Sequence, residues 1–133
     1  MAASIRDQFV KDIAQHRIDI QLDQGVFRHV VFKQPNTIQQ LFSLTTTPGR
    51  LVYGGDMGCF VFERLPDMFQ FFRSCPESRA PNFDYWHEKL VAVDQPYGSW
   101  KRRQYTIHYL WACHAIQWGI AQYDIAKHTE GGA

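Results

Sequence analysis

The run Arg17-Ile18-Asp19-Ile20-Gln21-Leu22-Asp23 alternates polar and apolar side chains without a break. A period of two sends successive side chains to opposite faces, so this stretch reads as a strand with one wet face. Gln24-Gly25 makes a tight turn, and Val26-Phe27-Arg28-His29-Val30-Val31-Phe32 returns as the partner. Pro35-Asn36 breaks the run, and a third strand is expected over about residues 38–46. Pro48-Gly49 turns the chain into a short fourth strand, Leu51-Val52-Tyr53. A fifth, Cys59-Phe60-Val61-Phe62-Glu63, follows the loop Gly54-Gly55-Asp56-Met57-Gly58. Connections this short force antiparallel neighbours, because a parallel crossover needs a dozen or more residues.

At Leu65 the period changes from two to about 3.6, with Leu65, Met68, Phe69 and Phe72 on one helical face. Pro66 suits a first helical turn, and Asp67 complements the dipole there. Upstream, Ser4 followed by Asp7 reads as a variant capping box for an amphipathic helix over 4–15 carrying Ile5, Phe9 and Ile13. Residues 74–83 form a surface connection, and Asp84 caps a short helix through Leu90. Gln95-Pro96-Tyr97-Gly98 breaks the chain again before a long helix over about 105–127. On it Ile107, Trp111, His114, Trp118, Ala121 and Ile125 form a stripe, widened by Leu110, Cys113, Ile116 and Ile120 until little polar face remains. Such a helix is buried, or shared with another subunit, which predicts a homodimer through this helix or an edge strand. The fold class is α+β: a five-stranded antiparallel meander with a short N-terminal helix, packed on one face by the 65–73 helix and the long C-terminal helix. Aromatic residues make up 15% of the 133, and each removes about 150–250 Å² from water when buried. Core material is plentiful for one domain spanning residues 1–133.

Formal net charge is +1. That argues against a polybasic nucleic-acid binder and against a carboxylate-coated mimic of DNA. Cys59, Cys75 and Cys113 are odd in number and widely spaced, which is no disulfide framework. The first residues lack the apolar core of a signal peptide, and no apolar run approaches the ~20 residues that span a bilayer. The cytoplasm is the expected compartment, with no membrane contact.

Candidate chemistry is sparse. Gly54-Gly55-Asp56-Met57-Gly58 could cradle a phosphate, but it leads into a strand rather than a helix, and a hairpin needing positive φ explains its glycines. Cys59, Cys75, Cys113, His87, His108 and His114 lack the short spacing of a zinc site, so no metal and no cofactor are expected. A Cys–His nucleophile pair such as Cys113 with His29 stays open, since partners meet only in the fold. His114, between Trp111 and Trp118, reads as a satisfied core or interface histidine. Gly119 inside the helix reads as the close approach of a neighbouring backbone. The best binding candidate is Trp100-Lys101-Arg102-Arg103-Gln104-Tyr105, where Lys101, Arg102 and Arg103 interleave with Trp100 and Tyr105. Cations beside aromatics can grip phosphate or an acidic partner. The alternative is a solvated linker before the helix.

Three stretches carry a resemblance: Gly25-Val26-Phe27-Arg28-His29 through Arg64-Leu65-Pro66-Asp67-Met68-Phe69-Gln70-Phe71-Phe72-Arg73, then 85–94, then 110–124. Together they resemble a family of phage and prophage proteins of unknown function. Longer members carry an extra segment before the last helix, where this chain has a short linker, so any activity housed there would be missing. The resemblance implies a mobile-element origin, the cytoplasm of a bacterial host, and no established chemistry. By analogy with small phage accessory proteins, the expected function is binding: inhibition of a host protein or ribonucleoprotein complex that targets nucleic acid, anti-CRISPR-like. The rival readings are a small hydrolase using His and Asp or Glu, and a nucleic-acid-binding module working through residues 100–105.

Overall fold

The computed structural model describes residues 4–76, 78–94 and 105–131, with residues 130 and 131 described by backbone alone. The hairpin of the alternating run is present as β1 (Arg17–Gln24) and β2 (Phe27–Lys33), turned at Gly25 with φ 62°. β3 (Phe42–Thr47), β4 (Arg50–Gly55) and β5 (Gly58–Glu63) continue the antiparallel meander. The third strand starts later than expected. Asn36 and Gln40 both take positive φ, 66° and 53°, and Ile38 is 71% exposed, so 36–41 is a loop.

The sheet has six strands, not five. β6 (Leu90–Asp94) pairs with β5 where the sequence reading placed the end of a helix. That helix, α3 (Phe83–His87), is capped by Asn82 rather than Asp84, and Glu88 ends it. Its short length releases Leu90-Val91-Ala92-Val93 to the β5 edge. The run was missed because it does not alternate, and a bulge between Val61 and Phe62 separates its two halves of pairing.

One face of the sheet is dry. Val30, Phe32, Phe42, Leu44, Leu51, Tyr53, Phe60 and Phe62 are all 0% exposed, and burial of each such side chain contributes about 1.5–3 kcal/mol. Three helices cover that face. α1 (Ile5–Asp12) begins where Ser4 Oγ accepts the Asp7 N–H at 3.0 Å. α2 (Met68–Arg73) is about one turn shorter at its start than the apolar spacing implied, because Asp67 is its N-cap and Pro66 lies outside it. α4 (Ile107–Gly131) crosses the sheet against β1 and β3 and packs on α1 and α2. The middle of its wide apolar stripe is absorbed within the chain, while Ile107 and Ile125 at its ends stay exposed: Trp111, Ile116 and Ile120 are buried, and Trp118 packs against Phe32 at 5.6 Å. Gly119 faces side chains rather than a backbone, since a Cβ there would meet Leu44 Cδ1 and Phe32 Cζ at 3.1 Å.

Candidate functional site

The strict alternation of β1 fails at one residue, with consequences for charge. Ile20 pairs with Val30 but Leu22 pairs with His29, so a bulge at Gln21 shifts the register. Ile18 and Ile20 face the core as expected, whereas Leu22 turns to the open face, 44% exposed. Asp23 turns inward in its place, opposite Arg28.

Arg28 is the centre of a buried polar network. It shares the inward parity of Val30 and Phe32 and is 6% exposed. Its guanidinium donates to Asp67 Oδ1 at 3.0 Å and Oδ2 at 3.2 Å, and to Thr46 Oγ1 at 3.3 Å. It also lies over the Phe69 ring, 4.2 Å from the centroid. Tyr123 donates its hydroxyl to Asp23 at 2.7 Å, and Lys127 pairs with the same carboxylate. Burial alone would raise the Asp67 carboxyl, but the hydrogen bonds and charge of Arg28 outweigh it and hold that group below its ordinary value. Asp23 is likewise lowered, burial being outweighed by Lys127 and Tyr123. Four elements, β1, β2, α2 and α4, are thereby joined. The signal was available in the sequence, since Arg28 is the one charge on the dry parity of β2.

The remaining titratable candidates fall apart in space. His29 stands on the open face, its Nδ1 2.7 Å from Thr45 Oγ1, while Cys113 is fully buried beneath the other face. The sheet separates them, so the Cys113–His29 pair is ruled out. Burial also pushes the Cys113 thiol far up. Cys59 lies on the open face and Cys75 follows α2. Among the described residues no group of three or more His, Cys, Asp and Glu could hold a metal ion. The Gly54–Gly58 loop closes on its own chain: Asp56 accepts the Gln40 N–H at 2.8 Å and donates its own N–H to Leu41 O at 3.2 Å. A carboxylate thus occupies the place a phosphate would need. Gly55 is required there, because a Cβ would stand 2.2 Å from Leu41 O.

Of the basic–aromatic patch, Trp100, Lys101, Arg102 and Arg103 lie outside the described residues. Tyr105 is half-buried at the start of α4. Its hydroxyl donates to Asp84, and its ring lies 5.0 Å from both His87 and Tyr109. Burial first, then the Asp84 hydrogen bond, pushes its phenol up to about 12. The contacts fix Tyr105 against α3.

What the described chain does present is the second face of the sheet. Two ladders cross it, Asp19-Val31-Ser43-Gly54-Cys59-Asp94 and Leu22-His29-Thr45-Val52-Val61-Ala92. Small and β-branched side chains fill the middle, and charges stand at the margins. Phe27, 49% exposed, extends the apolar end beside Leu22. No described helix covers this face. In comparison with known proteins, the chain matches no family model, no curated protein and no solved structure. No helix among the described residues is long and apolar enough to cross a membrane.

Proposed function

We propose that this chain acts by binding, through the open face of its sheet, to a host complex that targets nucleic acid, as an anti-CRISPR-like inhibitor would. The observation that carries the reading is the open face itself. It is lined by short side chains such as Val31, Thr45, Val52 and Val61, and bordered by Leu22 and Phe27, both more than two-fifths exposed. Interfaces are built on surfaces depleted of charge at their centre and polar at their rim. The resemblance to phage proteins supplies the class of partner. The convergent charged groups favour binding over hydrolysis, because Arg28, Asp67, Asp23, Lys127, Arg73 and Asp124 are paired with one another across elements.

Purified CRISPR effector ribonucleoproteins, assayed for target cleavage with the chain added, test the reading. The expected result is inhibition by the parent chain and its loss in a Val52→Arg, Val61→Arg variant with an unchanged melting temperature. Failure to bind or inhibit any effector type overturns it. Loss of inhibition only in the Lys101→Ala, Arg102→Ala, Arg103→Ala variant would move the contact to residues 100–105. Direct, steeply salt-dependent binding of nucleic acid would favour the nucleic-acid reading.

A further inference from the structure

α1 and α4 enclose a cavity of about 220 Å³ on the helical side of the molecule, away from the open sheet face. Arg6, Phe9 and Ile13 line it from α1, and His114, Gln117 and Trp118 from α4. The spacing makes this possible, since residues three and four apart share a helical face. The walls are aromatic. Phe9 stacks on the His114 imidazole at 5.9 Å and meets Trp118 edge-on at 6.1 Å.

Two of the polar side chains lining this cavity, Arg6 and His114, have no hydrogen-bond or ion-pair partner among the described residues. His114 is 7% exposed, yet its ring has no hydrogen-bond partner among the described residues. Its ring nitrogens are not fully enclosed, so the histidine anticipated from the sequence packs in the wall with nitrogens that solvent in the cavity can reach. Arg6 forms no ion pair with any described carboxylate. Gln117 is held in place by its amide nitrogen, which donates to Pro76 O at 3.0 Å and Arg79 O at 2.9 Å. An unpaired guanidinium at the rim, an unpaired imidazole in the wall and aromatic faces around them converge on one small space.

We infer that this cavity binds a small monocarboxylate with a planar apolar body, its carboxylate held by Arg6 and His114 and its ring against the Phe9 and Trp118 side chains. A monoanion fits because Arg6 is the only charged group lining the space. His114 is neutral near pH 7, burial and then the Arg6 charge pushing its pKa down to about 4; it therefore contributes a hydrogen bond rather than a second charge. The volume admits one ring and one carboxyl group, which is the size class of benzoate. Ligand sites of this kind combine apolar walls with a few convergent polar groups. The inference is independent of the proposed sheet-face contact.

The test is a titration of the whole chain with benzoate at pH 7, followed by NMR of the His114 imidazole and the Trp118 indole. Saturable shifts of both, with a Kd below about 1 mM, are expected. Benzamide, the neutral isostere, is expected to bind at least about tenfold more weakly, because it forfeits the charge-assisted bonds. Arg6→Gln, an exposed position, should weaken benzoate by a similar factor, leave benzamide unchanged and leave the melting temperature unchanged. Bound benzoate should also raise the pKa of His114, which a purely structural histidine would not show. Absence of saturable shifts up to about 10 mM overturns the inference on the parent protein alone. So do equal affinities for benzoate and benzamide, or an Arg6→Gln variant that binds benzoate as the parent does.

Discussion

Arg28 faces the core on a strand where every inward neighbour is apolar, and its charge is matched by Asp67 across 39 residues of chain. Truncating one partner of such a pair leaves the other uncompensated in a partly buried site, which costs about 3–5 kcal/mol when burial is complete. The Asp67 side chain retains 32% of its exposure, so Arg28→Ala is expected to destabilise by about 2–4 kcal/mol. Asp67→Asn should cost less, about 1–2 kcal/mol, because Asn still caps α2 while losing the ion pair. Urea unfolding of the two variants checks the order. His114, and at lower pH Asp67 and Asp23, set the response to acid. His114 is held neutral in the fold at a pKa of about 4, against an ordinary 6.5. The unfolded chain therefore binds the extra proton first as pH falls, and stability declines from about pH 6.5 downward, on the order of 2 kcal/mol by pH 4. Asp67 and Asp23, lowered from 3.8, add a further loss only below about pH 4. Thermal melts at pH 7 and pH 5 should separate the two, with His114→Phe flattening the difference between them.

At the scale of elements, the crossing of α4 over the sheet depends on Gly119. Ala at that position would gain about 1 kcal/mol of helix propensity. Its Cβ would meet Phe32 and Leu44 at 3.1 Å. Phe32 is wholly buried and stacked on Phe42 with centroids 4.8 Å apart. It has no room to yield, and overpacking of this kind costs about 1–3 kcal/mol. Gly119→Ala is therefore expected to destabilise by up to about 2 kcal/mol, and Gly119→Val by more. Denaturation midpoints of the pair give the check; a more stable Gly119→Ala would mean that α4 can lift from the sheet without loss. Elements with strong local patterns were legible in advance. β1 and β2 alternate, and α4 is long and apolar. β6 was not legible, because Leu90-Val91-Ala92-Val93 carries no period of its own and becomes a strand only by pairing with β5. The start of α2 was misplaced because Leu65 continues the helical spacing, although Asp67 already caps the helix.

For the whole molecule, the middle of the α4 stripe is buried within the chain, which leaves only Ile107 and Ile125 of that stripe strongly exposed for a subunit interface. A homodimer is proposed through the open sheet face, where it would compete with the proposed host contact. Light scattering at high micromolar concentration is expected to give a dimer mass for the parent and a monomer mass for Val61→Arg, while Ile107→Asp and Ile125→Asp leave the mass unchanged. A monomer in every case would reserve the open face for other partners. A mass altered by the two α4 substitutions would return the interface to that helix.

The sequence by itself determined the α+β class, the antiparallel order of the first five strands, the α1 cap at Ser4 and the long apolar helix α4. These follow from period, turn residues and short connections, which act over a few neighbouring positions. The tertiary structure alone decided the sixth strand, the inward turn of Asp23 at the Gln21 bulge, the pairing of Arg28 with Asp67 and the separation of His29 from Cys113 by the sheet. It also decided that His114 lines a cavity without a partner. Each of these depends on contacts between residues far apart in the chain, and pairing at that range leaves no mark on local periodicity.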